Sequence, residues 1–238
     1  MGDAMKFVVF IGVLAFSAPL SGQEAVSDWL PMAVGNRWTY EHSSRDGNVR
    51  DPRILRWQTE ETIVGMRAMA EGTLVFRHIE VEGETPGSWL SRYGESHFLL
   101  RNSCLYFLDP SYSWNEQEQQ LSPEFRASLV NGHAHPAFCF PLVTGKKFGV
   151  DLPGFVPSKV VGMGRGVGYT PPSVTEKAVR VEVHLFEADT TRLWFEKGVG
   201  ITGVWDLHRG AYSEYRVKLL RFQPAAPVAA GSPHASGQ

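Results

Sequence analysis

Cysteine is scarce: Cys104 and Cys139 are the two among 238 residues, so the chain can make one intramolecular disulfide at most. Excess charge of one sign is scarce as well. Lys and Arg number 23 against 25 Asp and Glu, for a formal net charge of -2, and neither sign forms a long block. General nucleic-acid binding relies on neutralising many phosphates, and an electrostatic membrane anchor relies on clustered cations, so the composition argues against both. Beyond the first two dozen residues no apolar run approaches the ~20 residues of a membrane helix. Long helices are also unexpected, because 24 glycines and 15 prolines punctuate the chain and favour turns.

What is present is apolar and aromatic: 43% hydrophobic residues, 12% aromatic. Lys6 precedes the apolar run Phe7 to Phe16, and small or turn-forming residues follow through Gly22. That order reads as a signal peptide over residues 1–24. Leu20-Ser21-Gly22 resembles the start of a lipoprotein cleavage box, but Gln23 stands where the lipidated cysteine belongs. The expectation is a soluble periplasmic or secreted protein with no transmembrane segment in the mature chain. In such a compartment Cys104 and Cys139 suit one disulfide.

The stretch Lys177 to Phe222 sets the fold class. Val179, Val181, Val183 and Leu185 alternate with Arg180, Glu182 and His184, the period of a strand with one buried face. A turn is expected at Asp189-Thr190-Thr191, then strands around Leu193-Trp194-Phe195, Val199 to Ile201 and Tyr215 to Leu219. The result is a four-stranded meander. Upstream, Trp38 and Tyr40 share one strand face. Leu55 and Trp57 oppose Arg56, Gln58 and Glu60, and further strands follow at Thr73 to Glu82, His97 to Leu100 and Leu105 to Leu108. Residues 109–132 form a polar insertion. It holds one short helix, Pro123 to Val130, with Ser122 as N-cap, and is placed over a sheet face or a barrel mouth. Leu152 to Pro172 reads as loop, and 224–238 as a disordered tail. The whole predicts one all-β domain over residues 25–223, an antiparallel strongly curved sheet or partial barrel, with a β-sandwich as the alternative.

One local pattern occurs twice. Leu30-Pro31-Met32-Ala33-Val34-Gly35-Asn36-Arg37-Trp38 and Phe140-Pro141-Leu142-Val143-Thr144-Gly145-Lys146-Lys147-Phe148 share a proline corner, a glycine turn and a closing aromatic.

Catalytic signals are weak. His133-Ala134-His135 would project two imidazoles to one side of an extended segment, a start on a metal site. Its further ligands would have to come from Cys139 or Asp151. The glycines between Gly162 and Gly168 miss the dinucleotide spacing and lead into Thr170-Pro171-Pro172 rather than a helix, so no cofactor is expected. Gly94-Glu95-Ser96-His97-Phe98 lacks the second glycine of a nucleophile elbow. Glu60-Glu61, and Glu80 with Glu82, read as solvated strand faces. The tryptophans are more informative. Trp38, Trp57, Trp89, Trp194 and Trp205 fall on predicted strands, as core or as the lining of an apolar cavity in a curved sheet.

Two motifs carry a resemblance: Pro31-x-x-x-Gly35-Asn36-x-Trp38-x-Tyr40, and Trp194-Phe195-x-x-Gly198-Val199-Gly200. The chain resembles uncharacterised exported bacterial β-rich proteins that open and close with these motifs, over most of the mature sequence. More loosely, it is similar in architecture to the curved-sheet lipoprotein carriers of the bacterial envelope. The resemblance implies a cell-envelope β protein and transfers no catalytic residue. The leading expectation is an exported non-catalytic envelope protein binding an apolar small molecule, or partnering an envelope protein, and not nucleic acid. The alternatives are a metal-dependent hydrolase using His133 and His135, and a protein-interaction or structural role through a sheet edge.

Overall fold

The computed structural model describes residues 26–46, 53–85, 97–108, 112–115, 118–149, 156–166, 169–184, 189–208 and 213–226. Fourteen strands are formed among them: β1 Arg37–Asp46, β2 Arg53–Met69, β3 Gly72–Gly83, β4 His97–Arg101, β5 Cys104–Phe107, β6 Trp114–Asn115, β7 Gln120–Leu121, β8 Phe138–Cys139, β9 Lys147–Phe148, β10 Val156–Met163, β11 Val179–His184, β12 Asp189–Glu196, β13 Gly200–His208 and β14 Ser213–Gln223. Helix α1 spans Pro123–Val130. Twelve strands make one antiparallel sheet in the order β8-β5-β4-β3-β2-β1-β14-β13-β12-β11-β10-β9, and β6 pairs with β7 in a small separate ribbon. A single sheet rolled into a nearly closed barrel replaces the sandwich alternative.

The topology is a meander opened in an unusual place. The first and last strands, β1 and β14, pair in the middle of the sheet, from Arg37 with Gln223 to Arg45 with Glu214. The middle of the chain supplies both sheet edges, β8 and β9, which are two residues long. These edges meet through side chains. Phe138 of β8 lies 5.8 Å from Phe148 of β9 and 4.9 Å from Phe195 of β12, both edge-to-face. Phe140 also approaches Phe195, at 6.3 Å. Edge-to-face rings add to simple area burial, so an aromatic seam closes the barrel. Cys104 and Cys139, opposite each other on β5 and β8, are disulfide-bonded and pin one edge strand to its neighbour.

The repeated corner is the same backbone device both times. Gly35 N–H donates to the Ile63 carbonyl, Asn36 N–H to Ala33, and Ile63 N–H to Asn36; Gly145 donates to Val160, Lys146 to Val143, and Val160 to Lys146. Both glycines hold positive φ, +94° and +88°, a region where a side chain is disfavoured. Three residues later Trp38 and Phe148 each enter the same core.

The polar insertion covers the outside of the sheet. Neighbouring residues of a strand point to opposite faces, so Leu74 and Leu99 turn outward while Val75, Phe98 and Leu100 turn inward. Leu74 and Leu99 are covered by Leu108, Trp114, Leu121, Phe125 and Leu129. Ser122 caps α1 through a 3.1 Å bond accepted from Phe125 N–H, with Pro123 in the first turn. A second outer cover is residues 171–178, whose Val174 and Ala178 pack on Trp194. Gly203 makes this possible, since a Cβ there would stand 2.8 Å from Pro171.

Two loop assignments are corrected. Asp189-Thr190-Thr191 belongs to β12 and pairs with Asp206 to His208, because β-branched threonines suit a strand that has a partner. Leu152 to Pro172 contains β10, whose Val160 is wholly buried; its register shift between Val160 and Gly162 hid the alternation. Trp89 and the ends of the chain, including the leader and most of the tail, lie outside the described residues.

Phe138→Ala should destabilise the protein by about 3–5 kcal/mol, the range for a buried phenylalanine. Phe107→Ala, at a ring 44% exposed, should cost clearly less. Urea denaturation of both variants checks the ranking; equal losses would show that the seam does not hold the barrel closed.

Candidate functional site

The concave face does not fill itself. A cavity of about 220 Å³ lies inside the barrel, with walls from β1 to β5, β8 and β12 to β14. Trp38, Ile63, Phe98, Leu193, Ile201 and Val204 supply much of its apolar surface. It is smaller than the roughly 300–1,000 Å³ of drug-sized sites, which suits a short apolar molecule or the tail of a longer one.

One end is closed by the N-terminal lead-in. Residues 26–29 form a helical turn, Leu30 N–H bonds the Val26 carbonyl, and Val26, Trp29 and Leu30 are buried in the inner core. Gly200, at φ +100°, faces Trp38 Nε1 and Leu30, and a Cβ there would sit 3.4 and 3.5 Å from them. Two wall residues bond across the sheet, past β14. Trp38 Nε1 donates to the Val199 carbonyl at 2.5 Å, and Tyr40 Oη to the Ile201 carbonyl at 3.1 Å. Burial holds the Tyr40 phenol well above its usual pKa, with the Glu61 charge adding to the effect.

Polar groups enter the wall engaged with one another. Glu61 Oε2 and Arg77 Nη1 are 2.6 Å apart, with both side chains mostly buried, and the Arg77 guanidinium lies 4.6 Å over the Phe98 ring. An ion pair so placed costs desolvation, and removing one partner would strand the other charge. At the other end of β1, His42 is 3% exposed. Its Nδ1 is 2.7 Å from Tyr215 Oη and its Nε2 2.8 Å from Thr59 Oγ1. The imidazole stacks on Trp57, centroids 5.2 Å apart and planes within 7°. Burial lowers its pKa to about 3, so it is neutral near pH 7.

The tryptophans separate by strand face. Trp38 lines the cavity, and Trp57 shares the concave face, opposite His42 in register. Trp194 and Trp205 do not join them: Leu193 and Val204 point inward, so their neighbours point out. Trp194 is covered by residues 171–178. Trp205 lies between Tyr169 and Arg192 and donates to Glu214 at 2.7 Å. Glu61 is also corrected. Glu60 faces outward to Arg37 and Arg221, so adjacent Glu61 must face in, and the pair is not one solvated face. His133 and His135 are both exposed. Cys139, one proposed further ligand, is in the disulfide, Asp151 lies outside the described residues, and no group of three His, Cys, Asp or Glu comes together among those described.

His42, Arg77, Phe98, Phe107 and Tyr215 are site residues that the sequence reading passed over. The alternation Trp38-x-Tyr40-x-His42 carries the signal for His42. Arg77 carries none, since an inward arginine looks like any other until its partner is placed.

No family model matches the chain, and neither does any curated protein. Among solved structures it is similar to a candidate lipoprotein from Parabacteroides distasonis, at 7% identity over 81% of this chain and 96% of that one, with a TM-score of 0.43. It is also similar to a candidate exported protein with a YmcC-like fold from Bacteroides fragilis, at 7% identity over 82% and 98%, with a TM-score of 0.40.

A neutral buried His42 sets a pH dependence. Its folded pKa, about 3, lies below the ~6.5 of an unfolded histidine. Below pH ~6.5 the unfolded chain therefore binds a proton that the folded chain does not. Its stability contribution is complete above that pH and is lost as pH falls toward 3, by up to about 4 kcal/mol. Urea midpoints at pH 7, 5.5 and 4 should converge between wild type and His42→Gln as the pH drops; a pH-independent gap would mean that His42 is not held neutral.

Proposed function

We propose that this chain is an exported, non-catalytic envelope protein that holds an apolar ligand in the hollow of its curved sheet. The observation that carries the reading is the cavity itself: about 220 Å³ left open in a barrel otherwise packed with aromatic and aliphatic side chains. Protein interiors are normally filled to crystal-like density, and a void of this size forfeits contacts that larger side chains would supply. An apolar guest would restore them. The non-catalytic part rests on the wall's polar groups. Glu61 is paired with Arg77, His42 with Tyr215 and Thr59, and Tyr40 with a backbone carbonyl. No unengaged base beside a nucleophile is found among these groups. Export rests on the leader-like run after Lys6 and on the Cys104–Cys139 disulfide, a bond suited to an oxidising compartment. The wall residues Trp38 and Tyr40 belong to the opening motif shared with the exported β-rich proteins that the chain resembles. A role through a free sheet edge finds less support at the terminal strands β8 and β9, which are two residues long and abut at the seam.

Native mass spectrometry of the protein purified from a bacterial periplasm tests the reading. Wild type should retain an apolar adduct that is lost on denaturation, and after delipidation should take up decanoic acid. Val204→Phe, which fills the cavity, should take up none while keeping its melting transition. A wild type that is bare and indifferent to decanoic acid, or a filled variant that binds as well, would overturn the proposal.

A further inference from the structure

Glu61 has acceptor capacity that its protein partners do not use. A carboxylate offers two oxygens and about four lone-pair positions. Oε2 faces Arg77 Nη1 at 2.6 Å, whereas Oε1 accepts no bond from the described residues. The side chain is 16% exposed and lines the apolar cavity. The neighbouring polar groups of the wall are committed elsewhere. Both ring nitrogens of His42 meet hydroxyls, of Tyr215 and Thr59. Thr191 Oγ1 donates to Asp206 at 2.8 Å, and Tyr40 Oη donates to the Ile201 carbonyl. In register Glu61 stands opposite Trp38, and Trp57 opposite His42. The carboxylate therefore lies at the level of Trp38, four residues along β1 from the His42 stack.

An ion pair in such a wall is a weak source of stability, and apolar side chains of similar size often serve as well. What the pair does supply is a test of the guest's end group. A guest with no polar end would cover Oε1 and leave a charged acceptor without water or a donor, which is costly. A carboxylate guest would set a second negative charge against Glu61, while Arg77 is already engaged with it. An ammonium guest would leave the hollow with an uncompensated positive charge. A hydroxyl or an amide N–H satisfies Oε1 and keeps the pair neutral, and a hydrogen bond to a charged acceptor is among the stronger ones. We propose that Glu61 Oε1 is the polar subsite of the cavity and selects an apolar chain ending in an uncharged hydrogen-bond donor over an acid or an ester. Arg77 is the positioning residue, held against the Phe98 ring at 4.6 Å. The subsite rests on the cavity holding an apolar ligand and adds the end group which that ligand carries.

The test is calorimetric titration of the delipidated full mature chain at pH 7 with decan-1-ol, methyl decanoate and decanoic acid, which share a chain and differ in the end group. Decan-1-ol should bind wild type at least tenfold more tightly than either of the others, a difference of about 1.4 kcal/mol. Replacing both members of the pair, Glu61→Leu together with Arg77→Met, leaves no stranded charge. That protein should still take up the ester, and the advantage of the alcohol should disappear. Glu61→Gln alone leaves the Arg77 charge unbalanced, so decanoic acid should bind it at least tenfold more tightly than it binds wild type. The double replacement decides the matter by itself, so the single variant need not be stable. If none of the three ligands binds wild type, the cavity reading fails and the subsite falls with it. If all three bind wild type alike, or if the doubly replaced protein still prefers the alcohol, the subsite is refuted while the cavity reading stands.

Discussion

Phe138 touches both halves of the barrel, and the architecture depends on that contact. A twelve-stranded sheet written as a linear meander has two edges, and an edge is a row of unpaired backbone groups open to other chains. Here the two terminal strands are each two residues long, and the gap between them is spanned by rings rather than by a hydrogen-bond ladder. Ring contacts are less demanding of register than a ladder, so the two halves can meet without matching strand for strand. The disulfide holds β8 on β5, and the corner ending in Phe148 delivers β9 to β10. Three different devices therefore act on one line of contact.

The same closure explains the hollow. Large rings project inward from the seam and from Trp38 and Tyr40, and a rolled sheet cannot bring all of them to van der Waals contact at its axis. The lead-in fills one end with Trp29 and Leu30. The His42, Trp57 and Tyr215 stack stiffens the other. Between them the wall is mostly apolar, and its one ion pair among the described residues is Glu61–Arg77. That pair is charge-neutral as a unit and brings two charges to the hollow without an unbalanced one.

The class of fold was legible because alternation is a local property. Val179 to His184, Arg53 onward and Thr73 to Glu82 each state their own period, and Ser122-Pro123 states a helix start. The repeated proline–glycine–aromatic corner was legible for the same reason. Alternation fails at register shifts, and β10 carries two of them. It also failed to say which face is inside. Trp194 and Phe195 are equally apolar, and only the placement of residues 171–178 makes the outer position of Trp194 a buried one. The site was less legible than the fold. Trp38 is legible from its place in an alternating strand and the Cys104–Cys139 bond from the presence of two cysteines alone, whereas Arg77 inside a barrel is defined by Glu61 on a different strand.

The pairing of β1 with β14 also has a consequence in time. Every other ladder of the main sheet joins strands close in sequence, but this one joins Arg37 to Gln223. A chain delivered across a membrane from its N-terminus would present β1 first and its partner last. The first half would carry β1 paired with β2 on one side only until nearly the whole sequence had arrived, and closing so long a loop is slow. For a chain delivered in that way, completion of the barrel would wait on the last strand, and a chain stalled before residue 213 would leave the free side of β1 as an adhesive edge for chaperones or for other copies of itself.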